Sequence, residues 1–179
     1  MPAARMRKPV AVSRRRAGAA SAPDGGQAGR SRAEQYAAGK ALRERCPRTT
    51  HGSWKAPPGR RDAVELVLAS EQGRLADLLP LRHGRMVRSA FTFYRGAALT
   101  MATDLATTPT SGLRVQCCGD AHLCNFGGFA TPERKVIFAI NDLDETHPAP
   151  WEWDLKRLVA SFVLASRDNG LGAAVGEET

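Results

Sequence analysis

Two short stretches of this chain hold residue types that could do chemistry together. The first is Gly119-Asp120-Ala121-His122-Leu123-Cys124-Asn125. The second, past a short apolar run, is Asn141-Asp142-Leu143-Asp144-Glu145. An Asp and an Asn five positions apart on a loop, followed by an Asp at the end of an apolar strand, are the parts that phosphoryl transfer uses. One carboxylate orients the attacking hydroxyl, while the amide and a second carboxylate hold magnesium against the phosphates. Asp120 is therefore expected to be catalytic, and Asn125, Asp142 and Asp144 to be metal ligands. Asp142, Asp144 and Glu145 would repel one another, which favours either exposure or a shared cation.

His122 is open to three roles: general base, metal ligand, or a histidine hydrogen-bonded within its own loop. It is placed with Arg95 among the expected cofactor-binding residues. Arg95, next to Gly96, could reach a phosphate or could serve equally well in a surface ion pair. A zinc site on Cys118, His122 and Cys124 lacks a clear fourth ligand. A metal-dependent phosphoesterase built on Asp120, His122, Asp142 and His147 would need ligand motifs that are absent.

Residues at such positions need rigid elements behind them. Leu113, Val115 and Cys117 alternate with polar residues, predicting a half-buried strand that runs into Gly119-Asp120. Phe126 to Phe129 and Lys135 to Ile140 flank Thr131-Pro132-Glu133-Arg134, a turn signal, and predict a β-hairpin. Its second arm is apolar throughout and is expected to be buried. Asp154 to Arg167 is expected to be a helix with Leu155, Leu158, Val159, Phe162, Val163 and Ala165 inward, ended at Asn169-Gly170. Asp154 is expected to cap it.

Upstream, Asp62 to Leu79 has helical spacing with Pro80 beyond its end. Met86 to Tyr94 suits a strand through Phe91-Thr92-Phe93, and Gly96 to Ala106 suits a helix. A weak helical pattern from Ala33 to Arg45 should stop at Cys46-Pro47, because the residue before proline avoids the helical region. Trp54, in a Pro- and Gly-rich loop, is expected to anchor that loop on the core.

The chain has 179 residues, enough for one domain with a core. Its net charge of +8 is uneven, since residues 1–60 carry 14 Lys/Arg against 3 Asp/Glu and residues 61–179 carry 12 against 15. Residues 1 to 33 form a basic leader, poor in large apolar side chains and expected to be disordered. Residues 34 to 179 form the expected folded part. Without interleaved aromatics the leader is a poor candidate for nucleic acid. Four cysteines, two of them adjacent, argue against a disulfide framework and for a reducing cytoplasm. No apolar run approaches the ~18 residues that a membrane helix needs.

Four motifs in order carry a resemblance to a known family. They are Phe91-Thr92-Phe93-Tyr94-Arg95-Gly96, Cys118 to Gly127, Asn141 to Thr146, and Trp151-Glu152-Trp153-Asp154-Leu155-Lys156-Arg157-Leu158. Together they resemble the bacterial family named domain of unknown function 2252, over about Gly39 to Gly170. That family is grouped with the kinase-like fold of aminoglycoside and choline phosphotransferases, whose loop Gly-Asp-x-His-x-x-x-Asn is similar to residues 119 to 125 less one spacer.

The resemblance implies a partial kinase-like α/β fold, with ATP and Mg2+ as cofactors and an unidentified small-molecule or protein acceptor. It implies Asp120 as the catalytic aspartate, Asn125 and Asp142 as magnesium ligands with Asp144 as the close alternative, and an acid at Asp154 that braces the loop. Ala139 and Leu143 depart from the family's usual residues. A glycine-rich phosphate loop and a nucleotide-binding lysine are missing. Family members are roughly twice as long, so the chain is expected to be a fragment lacking the rest of its C-terminal lobe. A nucleotide-binding pseudoenzyme is the alternative.

Overall fold

A computed structural model describes residues 29–172. The expected disordered leader falls almost wholly on residues 1–28, outside the described residues. Internal contacts divide the chain into two units, Met1–Ala38 and Gly39–Thr179. Within the first unit, Ser31 and Glu34 bond reciprocally, the Glu34 carboxylate accepting from the Ser31 amide at 2.7 Å, which starts helix α1 (Arg32–Arg45). Cys46-Pro47 follows its end, as the proline requires.

The second unit is mixed α/β. Helix α2 (Ala63–Ala69) is capped by Asp62, whose carboxylate accepts from the amides of Val64 and Glu65. The helix predicted from Asp62 to Leu79 breaks early, because Gly73 takes a φ of +87°. The chain then passes a 3-10 turn at Ala76–Leu78 and re-forms as α3 (Leu79–Met86). Pro80 therefore starts a helix instead of ending one. In the first turn its missing N–H costs nothing, since that donor has no partner there anyway.

The strand predicted over Met86 to Tyr94 is also corrected. Ala90–Gly96 is helix α4, because Ser89 and Thr92 close a capping box that fixes its first turn. An alternation only three residues long could not outweigh that local geometry. Helix α5 (Ala98–Leu105) follows, within its predicted range. Val67, Met86 and Ala97 pack together with Phe93 against them, forming a small core among these helices. Trp54 stays 44 % exposed, with the Arg60 guanidinium 5.8 Å from its ring, so it is not an anchor on the core.

Strand β1 (Arg114–Cys117) pairs antiparallel with β4 (His147–Pro150), in a register running from Arg114 opposite Pro150 to Cys117 opposite His147. The sequence reading has no β4, because Pro148 and Pro150 speak against a strand. In a two-stranded sheet each strand is an edge, where proline is tolerated. The predicted hairpin is present as β2 (Phe126–Ala130) and β3 (Val136–Ile140), turning through Arg134 at φ 60°.

Two burial expectations fail. The second hairpin arm is exposed rather than buried, with Val136 at 81 % and Phe138 at 77 %, because among the described residues no layer covers the two-stranded sheet. Helix α6 (Glu152–Asp168) buries Glu152, Arg157, Ser161 and Ala165, whereas Leu155 and Val159 face solvent. Its buried line is largely polar because the loop it supports is polar. Gly170, at φ +70°, follows its end. Among the described residues no helix is long and apolar enough to cross a membrane.

Candidate active site

Strand β1 ends at Cys117, which is 1 % exposed and whose thiol burial pushes up to about 11. It is a core residue at neutral pH. The chain then turns sharply at Gly119, with φ +86°. A Cβ at this position would lie 2.1 Å from the Glu145 carbonyl oxygen, so the turn and the close approach both demand glycine. The amides of Cys118 and Gly119 donate to the two carboxylate oxygens of Asp154, at 2.7 and 3.1 Å. Asp154 thus lies inside the first turn of α6 and clamps the loop, instead of capping its own helix.

Asp120 follows, about one-fifth exposed. Its Oδ1 accepts from Arg157 Nε at 2.7 Å, and the same oxygen pairs with Arg157 Nη2. Arg157 is 2 % exposed, lies 4.4 Å from the Tyr94 ring centre, and donates to the Tyr94 carbonyl at 2.9 Å. Burial pushes the Tyr94 phenol up to about 12, so it stays neutral and donates to the Arg157 carbonyl at 2.7 Å. The ion pair fixes the Asp120 carboxylate and leaves its Oδ2 towards His122, whose Nε2 is 3.7 Å away.

His122 is buried, and its Nδ1 has no hydrogen-bond partner. Burial holds its pKa below the ordinary histidine value. Asp120 opposes that shift, and Arg157 and Arg95 reinforce it. The neutral imidazole is thus the favoured form. Leu123 N donates to Ser161 Oγ at 2.9 Å, docking the loop on α6.

Asn125 is 5 % exposed and lies beneath the loop. Its amide nitrogen donates to the Asp120 carbonyl at 3.0 Å and the Asp142 carbonyl at 2.9 Å, joining the two chemical stretches. Asp142 Oδ1 accepts from the Asp144 amide at 3.0 Å, and both side chains are exposed.

Asp120, His122, Asp142, Asp144 and Arg95 line one cleft of about 900 Å³, at the upper end of the usual range for ligand sites. Asn125 does not line it. Among the described residues, no group of three or more His, Cys, Asp and Glu side chains is placed to hold a metal ion. That includes Cys118, His122 and Cys124, and the set Asp120, His122, Asp142 and His147. The donors present suit a hard cation held by one or two carboxylates together with substrate phosphates and water, as magnesium usually is.

Several residues that shape the site escaped the sequence reading. Arg157 stands in the Trp151 to Leu158 motif with no role of its own expected, and none is expected for Ser161. Yet Asp154, Arg157 and Ser161, spaced three and four apart, trace a polar line beside the apolar stripe of α6, and helical spacing alone marks it. Arg82, Arg85 and Arg88, on the cleft's opposite wall, had no signal, because the break before α3 was not foreseen.

The molecule is therefore a mixed α/β protein whose polar loop, clamped by a helix, opens on a charged cleft. It belongs to the family described as "Uncharacterized protein conserved in bacteria (DUF2252)", which matches residues 74–178, more than half of the chain. No curated protein and no solved structure matches it. The match begins later than Gly39 and extends past Gly170, and it contains all four motifs.

Proposed function

We propose that this site transfers a phosphoryl group from a nucleoside triphosphate to an acceptor hydroxyl, on a kinase-like arrangement of loop, hairpin and helix. The observation that carries the reading is that Asp120, Asp142 and Asp144 open into one cleft beside Arg95. Arg157 orients the Asp120 carboxylate through Oδ1, leaving Oδ2 to accept the hydroxyl proton. As that proton moves to Asp120, the acceptor oxygen bonds to the γ-phosphorus, the bridging P–O bond breaks, and the nucleoside diphosphate leaves. Arg95 would take a phosphate oxygen. Asp142 and Asp144, which line the cleft as Asn125 does not, are the residues that would hold magnesium, which when bound supplies charge neutralisation on the phosphates.

The free thiols Cys46, Cys117, Cys118 and Cys124 fit a reducing cytoplasm. The uncovered hairpin and the outer stripe of α6 are surfaces on which further helices of a complete kinase-like lobe would pack. One feature supports a second reading, a nucleotide-binding pseudoenzyme: the Asp120 carboxylate is already engaged by Arg157.

Measuring ATP turnover and magnesium-dependent nucleotide binding for Asp120→Asn and Asp142→Asn tests both readings. A catalyst loses turnover with each change, and loses magnesium-dependent binding mainly with Asp142→Asn. Binding without turnover, unchanged by Asp120→Asn, would establish the pseudoenzyme.

A further inference from the structure

The part of the cleft wall formed by α3 and the residues just after it has no part in the reaction described above. Arg82 and Arg85 on α3, and Arg88 just beyond it, recur at intervals of three and line the same cleft as Asp120 and Asp142. Arg74 and Arg95 also line it, and among the described residues no lysine does. Arg85 and Arg88 are exposed, and among the described residues neither has a hydrogen-bond or ion-pair partner. Arg82 donates to the Gly96 carbonyl, but its Nε is buried without a hydrogen bond, the Glu71 carboxylate standing off at 3.9 Å.

Like charges one turn apart on a helix repel, so gathering them in a concave wall costs stability unless an anion is shared among them. Guanidinium forks match phosphate oxygens two at a time, which the point charge of lysine does not. The opposite wall carries Asp120, Asp142, Asp144 and Glu145, which would repel a bare phosphate. The cleft therefore has two chemically distinct ends.

We propose that Arg82, Arg85 and Arg88 form a second anion subsite that holds a phosphate already present on the acceptor. The acceptor is then a phosphorylated small molecule with a free hydroxyl. This assignment rests on the phosphoryl-transfer reading, in which the nucleotide would occupy the carboxylate end. Leu78 and Leu81, exposed in the same cleft, offer the acceptor's carbon skeleton an apolar floor.

The test uses inorganic pyrophosphate, titrated calorimetrically into the full chain without magnesium and at fixed ionic strength. The wild-type chain should bind it, and the double variant Arg85→Gln/Arg88→Gln should bind it at least tenfold more weakly. Both residues are exposed, so the fold should survive, as circular dichroism would verify. Asp142→Asn should leave pyrophosphate binding within twofold. With magnesium and a non-hydrolysable ATP analogue at saturation, pyrophosphate should still bind.

Equal affinity in the double variant, or no binding by the wild type, overturns the subsite. Competitive displacement by the ATP analogue gives the arginines to the nucleotide and overturns the acceptor assignment. Arginine-dependent pyrophosphate binding in a chain that binds no magnesium nucleotide would keep the subsite and overturn the phosphoryl-transfer reading instead.

Discussion

The loop from Cys117 to Asn125 and the hairpin from Phe126 to Ile140 are adjacent in the chain and opposite in character. The loop is polar and turn-prone, yet it is held at many points: the amides of Cys118 and Gly119 by Asp154, that of Leu123 by Ser161, the Asp120 carboxylate by Arg157 and the Asp120 carbonyl by Asn125. The hairpin has a continuous run of apolar residues, yet Phe129, Val136, Ile137 and Phe138 remain at least 44 % exposed. Order here follows the completeness of long-range pairing, not hydrophobicity. A buried carboxylate or amide must find its partner, whereas an apolar side chain meets no comparable penalty for facing water.

The largest effect should come from removing the guanidinium under the loop. Arg157→Leu leaves Asp120 beside an apolar replacement and strips a donor from Tyr94, so the urea midpoint should fall by an amount equivalent to about 3–5 kcal/mol. A loss below ~1 kcal/mol would mean that the loop is not held as described. Asp154→Ala removes two charge-assisted hydrogen bonds to the Cys118 and Gly119 amides and should cost about 2–3 kcal/mol. Hydrogen exchange at those two amides should accelerate while α5 amides keep their protection. Uniform acceleration throughout would show that Asp154 acts on the whole fold rather than on the loop.

A smaller effect concerns His122. Its folded pKa lies below the ordinary value, so the unfolded chain binds the proton more readily. The stabilisation is present in full above the unfolded pKa of about 6.5 and is lost as pH falls through the lowered folded value. Melting temperature should therefore drop between pH 7 and pH 5 more steeply in the wild type than in His122→Gln. Parallel curves would place the titrating group elsewhere. Smallest of all, Phe138→Ser on the hairpin should change stability by no more than about 0.5 kcal/mol, because the ring already faces solvent. A cost above ~2 kcal/mol would mean that the hairpin is covered in solution, and the contrast with the loop would collapse.

What the sequence by itself determined is local. The helix start at Asp62, the halt at Cys46-Pro47, the hairpin around Thr131 to Arg134 and the helix through Leu158 are each written in a few neighbouring residues, and each is present. Asp120, Asp142 and Asp144, which line the cleft, also stand out by type and spacing, whereas Asn125 stands out equally and does not line it. Where two local signals competed, the choice was not legible. Phe91-Thr92-Phe93 reads as a strand until the Ser89–Thr92 capping box is weighed, and Pro80 reads as an end until the break at Gly73 turns it into a beginning.

Only the tertiary structure decided who partners whom. Arg157 lies 37 positions from Asp120 and Asp154 lies 36 from Cys118, and periodicity carries no information about such distances. The same holds for the faces. The spacing of α6 marks an apolar stripe, yet the buried residues are Glu152, Arg157, Ser161 and Ala165, because the neighbouring loop needed donors and acceptors more than α6 needed cover for Leu155 and Val159. Helical spacing says which residues share a face. What that face meets is set by segments far away in the chain, through hydrogen-bonding groups that cannot be buried unpaired.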